Sequence, residues 1–150
     1  MKNMPLFFIL SLALTGCVKG FNYLESYPEQ NMPLASAWTK SAAFTYIADE
    51  DKPYWQSPHE TEARGGGDCE DIATALVYYL GPTASLIIIE SCGIKHAIVE
   101  YCGQYVEPNT CGEYYILSSG LLLYNGQTWN INLIVNYDTV MDESTDGGRK

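Results

Sequence analysis

The chain is short of positive charge: 8 Lys and Arg stand against 18 Asp and Glu, for a formal net charge of −10. Such a surface repels phosphate backbones, which excludes nucleic acid as a partner. Histidine is scarce, with 2 in 150 residues, so imidazole chemistry falls to His59 or His96. No apolar stretch reaches the roughly 20 residues a membrane-spanning helix needs. No internal repeat is visible, which excludes a solenoid. There are only five cysteines, and with Cys17 read as lipidated and Cys69 as chemical, Cys92, Cys102 and Cys111 remain as an odd set. What the chain does have is a hydrophobic share of 47%, with 12 Tyr and 3 Trp, enough to pack one small core.

The first segment reads Met1-Lys2-Asn3-Met4-Pro5, an apolar run over 6–14, then Thr15-Gly16-Cys17. A basic start, a short apolar run and small residues before a cut describe a secretory signal. Leu14-Thr15-Gly16-Cys17 resembles the bacterial lipobox, which implies acylation of Cys17 and stable anchoring through several chains. Val18 rather than Asp follows, so the expected address is the outer membrane, facing the periplasm. The expected division is a lipoprotein signal peptide over 1–16, a tether over 17–33 behind lipidated Cys17, one domain over 34–138 and a flexible tail over 139–150.

The most informative run is Gly65-Gly66-Gly67-Asp68-Cys69-Glu70-Asp71-Ile72-Ala73. It delivers a cysteine to the first turn of a helix, where the dipole is expected to lower the thiol pKa. Downstream stand Gly93-Ile94-Lys95-His96-Ala97 and Tyr105-Val106-Glu107-Pro108-Asn109. A thiol needs a base to take its proton and an acid to orient that base, and Cys69, His96 and Glu107 supply the three in that order. The oxyanion of a tetrahedral intermediate needs donors. The Cys69 N–H is the first, and the side chain of Gln56 or Trp55 the second, with packing as the competing role for Trp55. His59 is assigned no role, and the pairs Tyr78-Tyr79 and Tyr114-Tyr115 read as packing or rim residues.

Helical spacing of Leu34, Ala37, Trp38, Ser41, Phe44, Thr45 and Ala48 predicts a helix over 34–48, followed by an irregular connection over 49–59. A second helix runs from Cys69 to the stop at Gly81-Pro82. Strands are then expected over 84–90, 94–101 and 104–107, with Cys102-Gly103 as a hairpin turn, and over 113–117, 121–124 and 128–135, with Asn125-Gly126 as another. Helices first and antiparallel strands second make an α+β domain, N-terminal helices packed on an antiparallel sheet. The compartment outside the inner membrane is oxidising, so one disulfide among Cys92, Cys102 and Cys111 is expected, with the pair left open.

With Tyr54-Trp55-Gln56-Ser57-Pro58-His59-Glu60-Thr61 leading into Gly67-Asp68-Cys69-Glu70-Asp71-Ile72-Ala73, the chain resembles the bacterial transglutaminase-like cysteine proteinases. The likeness runs from about Tyr54 to Thr110. It implies a papain-like/transglutaminase-like core, with Cys69 as nucleophile, His96 as base and Glu107 as orienting acid. Families of this fold carry Asp before Pro at the third place; here Glu is one methylene longer, with Asn109 as a fallback. The resemblance also implies calcium on Asp68 and Glu70, whose oxygens suit a hard cation. Against it stands the plainer role of first-turn acids, Asp71 included, in complementing the helix dipole.

The expected function is an envelope-anchored cysteine peptidase or amidase acting on a protein or peptide through a thioester, with no cofactor needed for the chemistry. A lysine amine in place of water would make it a protein-glutamine transamidase. The rival class is a binding or inhibitory lipoprotein that keeps the fold without turnover.

Overall fold

Every residue from Asp71 to Leu80 is buried, so the helix Cys69–Leu80 runs through the middle of the molecule rather than over it. Ile72, Ala73, Ala75, Leu76, Val77 and Leu80 make it apolar around its whole circumference, the pattern of a helix enclosed on all sides. Gly81, at φ 81°, ends it where the sequence predicts. The computed structural model describes residues 30–49, 54–109, 113–116, 121–124 and 126–145.

In chain order the elements are α1 (Leu34–Ser41), β1 (Thr45–Tyr46), α2 (Pro58–Arg64), β2 (Gly66–Gly67) and the central helix α3 (Cys69–Leu80). Then come β3 (Ala84–Ser91), β4 (Ile94–Tyr101), β5 (Gln104–Val106), β6 (Glu113–Ile116), β7 (Leu122–Tyr124), β8 (Gln127–Asn136) and α4 (Tyr137–Thr145). Strands β3 to β8 pair antiparallel in sequence order, and β8 closes back onto β3. The class is therefore α+β, and each barrel strand lies within a few residues of its expected limits.

Alternation along the strands gives the sheet two apolar faces. Ala84, Leu86, Ala97, Val99 and Val135 join α3 in the main core. Ile87, Ile89, Ile98, Leu122 and Trp129, strand residues alone, form a second cluster on the other face, inside the curl. His96 pairs with Ile89 across β3 and β4 and so belongs to that second face.

Four expectations are corrected. Helix α1 stops at Ser41 because Thr45 and Ile47 are drawn into a parallel pairing with the glycine loop, their N–H groups donating to Gly65 and Gly67 carbonyls at 3.0 and 2.8 Å. The connection expected to be irregular through 59 starts a helix at Pro58, with Ser57 and Glu60 forming a capping box and Gly65 closing it at φ 72°. The tether does not extend to 33: the Met32 N–H donates to the Tyr79 carbonyl at 2.8 Å and the Gln30 amide reaches the Tyr137 hydroxyl. The supposed tail is helix α4 up to Thr145, and its Val140 is completely buried against α3 and the sheet.

Cys92 and Cys102 occupy the first positions of two-residue hairpin turns, at φ 52° and 51°. They stand at opposite ends of β4, about 26 Å apart at ~3.3 Å per residue, while a disulfide needs Cα atoms within ~7 Å. That pairing is excluded, Cys92 is a free exposed thiol, and Cys111 lies outside the described residues.

If α4 is part of the domain, Val140→Ala should cost about 1–3 kcal/mol in a urea titration, through the cavity it leaves. An unchanged midpoint would return 139–150 to the status of a tail.

Candidate active site

Asp71, at the third position of α3, has no exposed surface. Its carboxyl group accepts from the Gln56 backbone N–H at 2.7 Å, from the Gln56 side-chain amide, and from the Asp68 N–H at 3.3 Å. Gly67 packs against this junction: a Cβ there would lie 2.4 Å from Asp71 Oδ2 and 2.8 Å from Gln56 Nε2, so no side chain fits. The glycine loop, the 54–57 segment and the helix start are thereby fixed to one another, and Cys69 is carried at their meeting point.

Of the two side chains offered as oxyanion donors, Trp55 has its only N–H engaged, and Gln56 has an amide hydrogen to spare but no exposed surface. The Trp55 indole has a single N–H, and it is donated to the Thr74 hydroxyl at 2.5 Å. Gln56 spends one amide hydrogen on Asp71 and keeps a second. The Cys69 N–H, at the first turn, has no intrahelical acceptor by construction.

His96 and Glu107 meet. The imidazole Nε2 lies 2.7 Å from Glu107 Oε2, and the carboxylate is buried at 6% exposure. With Nε2 engaged, Nδ1 is the nitrogen left to receive a proton. The other Glu107 oxygen accepts the Asn109 N–H at 3.4 Å, and no side-chain bond joins Asn109 to His96. The extra methylene of glutamate is thus compatible with the contact. Trp129 stands beside the pair, its ring centroid 6.3 Å from that of His96. The backbone N–H of Ala97, the residue after His96, bonds the Cys69 sulfur.

The thiol contradicts the expectation of a lowered pKa. Burial, then the charge of Glu70 and a hydrogen bond to it, push Cys69 up to about 12, against the downward pull of the Ala97 N–H. Its Sγ is 3.2 Å from Glu70 Oε2. The helix dipole is outweighed because the charges acting on the thiol at close range are negative.

Those charges form a cluster. Asp49, Asp68 and Glu70 each bring an oxygen to within 4.8 Å of the other two. Asp68 Oδ1 is buried with no hydrogen-bond partner among the described residues. Burial, then the hydrogen bond and charge of Glu70, raise the Asp68 carboxyl well above the ordinary range. Asp49 was not anticipated; it lies across an intervening loop and helix, and nothing local in the sequence marks it. The oxygens and the orphaned lone pair fit a hard divalent cation.

No family model matches the chain, and no curated protein matches it. Among solved structures, LapG of Legionella pneumophila after EGTA treatment has a TM-score of 0.47 at 16% identity, over 77% of this chain and 81% of that one. The calcium-bound form of LapG has a TM-score of 0.45 at 17% identity, over 78% and 81%.

Burial raises Asp71 from 3.8 to about 6, although the Gln56 and Asp68 N–H groups pull it down. An acid with a raised folded-state pKa favours the fold while protonated, so its contribution is full at low pH and is lost as pH rises. In chelator, the melting temperature should fall as pH is raised from ~4 to ~6 and continue falling as Asp68 ionises above that. Asp71→Asn should flatten the first part. A melting temperature that rises over this window would contradict the burial of these groups.

Proposed function

We propose that the chain is a transglutaminase-like cysteine peptidase, held by lipid on Cys17 at the outer membrane facing the periplasm, that cleaves a protein or peptide. The observation that carries this reading is the 2.7 Å His96–Glu107 contact, set beside the strand residue whose N–H meets the Cys69 sulfur. In the proposed reaction His96 Nδ1 takes the thiol proton, and the Cys69 sulfur attacks the scissile carbonyl. The Cys69 N–H and the free amide hydrogen of Gln56 receive the oxyanion, and His96 returns its proton to the leaving amine. Water, activated by the same imidazole, then resolves the thioester. Glu107 holds the ring in the tautomer this sequence needs.

Calcium fits the residues present, and Asp49, Asp68 and Glu70 would hold it. Bound there, it would supply positive charge to a cluster that otherwise opposes thiolate formation. The raised thiol pKa is the observation that favours the rival reading, a binding module without turnover.

The test is the iodoacetamide alkylation rate of Cys69 against pH. In chelator the thiol should react as an ordinary or suppressed one, with a midpoint at or above ~8.5. With calcium it should react well below pH ~7, and His96→Ala should abolish that shift. An ordinary profile under both conditions would leave the binding module as the better account. For the anchor, Cys17→Ser should move the protein from the membrane to the soluble fraction, and retention there would remove the lipid from the proposal.

A further inference from the structure

Glu107 sits just beyond the end of β5 at Val106. Two side chains of α1, about seventy residues earlier, reach its main chain and the next. The Trp38 indole N–H donates to the Glu107 carbonyl at 2.9 Å, and the Ser41 hydroxyl donates to the Pro108 carbonyl at 3.0 Å. Ser41 has no exposed surface, and its one hydroxyl hydrogen is shared between the Pro108 carbonyl and the Trp38 carbonyl of its own helix, each at 3.0 Å. Both donors lie in the last two turns of α1, a helix locked onto α3 through the buried Ala37.

We propose that Trp38 and Ser41 are positioning residues that set the Glu107-Pro108 backbone so that the glutamate carboxylate reaches His96. The proposal rests on Glu107 being the orienting acid. A glutamate has one more rotatable bond than the aspartate usual at this place in related folds. Its carboxylate therefore samples a larger volume unless the backbone is held. Two bonds to consecutive carbonyls remove the backbone freedom, and the Asn109 N–H and His96 Nε2 take the two carboxylate oxygens. Trp38 and Ser41 touch neither substrate nor thiol in this scheme; they act only through the acid.

The readout is the His96 imidazole itself, followed by NMR of the full chain labelled with nitrogen-isotope histidine, the signal assigned by its loss in His96→Ala. Wild type should show the Nε2–H tautomer with a slowly exchanging, downfield ring proton, and Glu107→Gln should abolish that proton signal. Ser41→Ala and Trp38→Phe should each weaken it, the double variant should lose it, and Ser41→Thr, which keeps the hydroxyl, should restore it. Trp38→Phe keeps the ring's bulk, so the question stays answerable if Ser41→Ala folds poorly. Wild-type tautomer and proton exchange in both single variants and the double, whatever happens to the melting temperature, would overturn the clamp and leave these residues as packing. If Glu107→Gln already leaves the signal unchanged, the orienting role of Glu107 falls first, and the clamp with it.

Discussion

A buried carboxyl group at the third position of the central helix organises this molecule. Asp71 accepts from both the main chain and the side chain of Gln56 and from the N–H of Asp68, and Gly67 is excluded from bearing any side chain because it presses on the same group. One acid thus joins the glycine loop, the 54–57 segment and the helix start. The arrangement carries a cost, since an ionised carboxylate away from water is disfavoured unless its lone pairs are filled. Its neighbours fill them, and the remaining penalty appears as a pKa raised to about 6.

The same helix start gathers more negative charge than its dipole can offset. Cys69, Asp68 and Glu70 occupy successive positions, and Asp49 arrives from another part of the chain. The result is a thiol whose protonated form is favoured, with Glu70 as its acceptor. A helix N-terminus contributes only about 0.3–1 kcal/mol to a nearby charge, which several close carboxylates exceed. A bound cation would offset that local negative charge, which joins the calcium reading to the thiol reading in one physical statement.

Histidine and acid are organised from a different direction. His96 shares the inner face of the curled sheet with Ile89 and Ile98 and lies beside Trp129, while the thiol comes from the helix side through the Ala97 N–H. The acid stands where β5 gives out and is tied to α1 by Trp38 and Ser41. The site is therefore a junction of α1, α3 and two strands, and each contributes a constraint that the others lack.

Much of this could be read from the sequence because it depends on near neighbours. Alternating apolar residues and X-Gly turns give the strands, and the glycine loop before Asp68-Cys69 gives the helix start. Ser57-Pro58 with Glu60 also marks the start of α2, a capping-box signal that is local even though prolines in the same stretch favour a loop. Helix α4 escaped because its acidic composition hides a single buried Val140. What tertiary structure alone decided are the relations between distant residues: Asp49 beside Glu70, Trp38 on Glu107, and the loss of Trp55 as a donor once Thr74 claims its only N–H. The thiol pKa belongs there too. Sequence places Cys69 at the positive end of a dipole, but only folding brings burial and the surrounding carboxylates to bear, and at these distances they prevail.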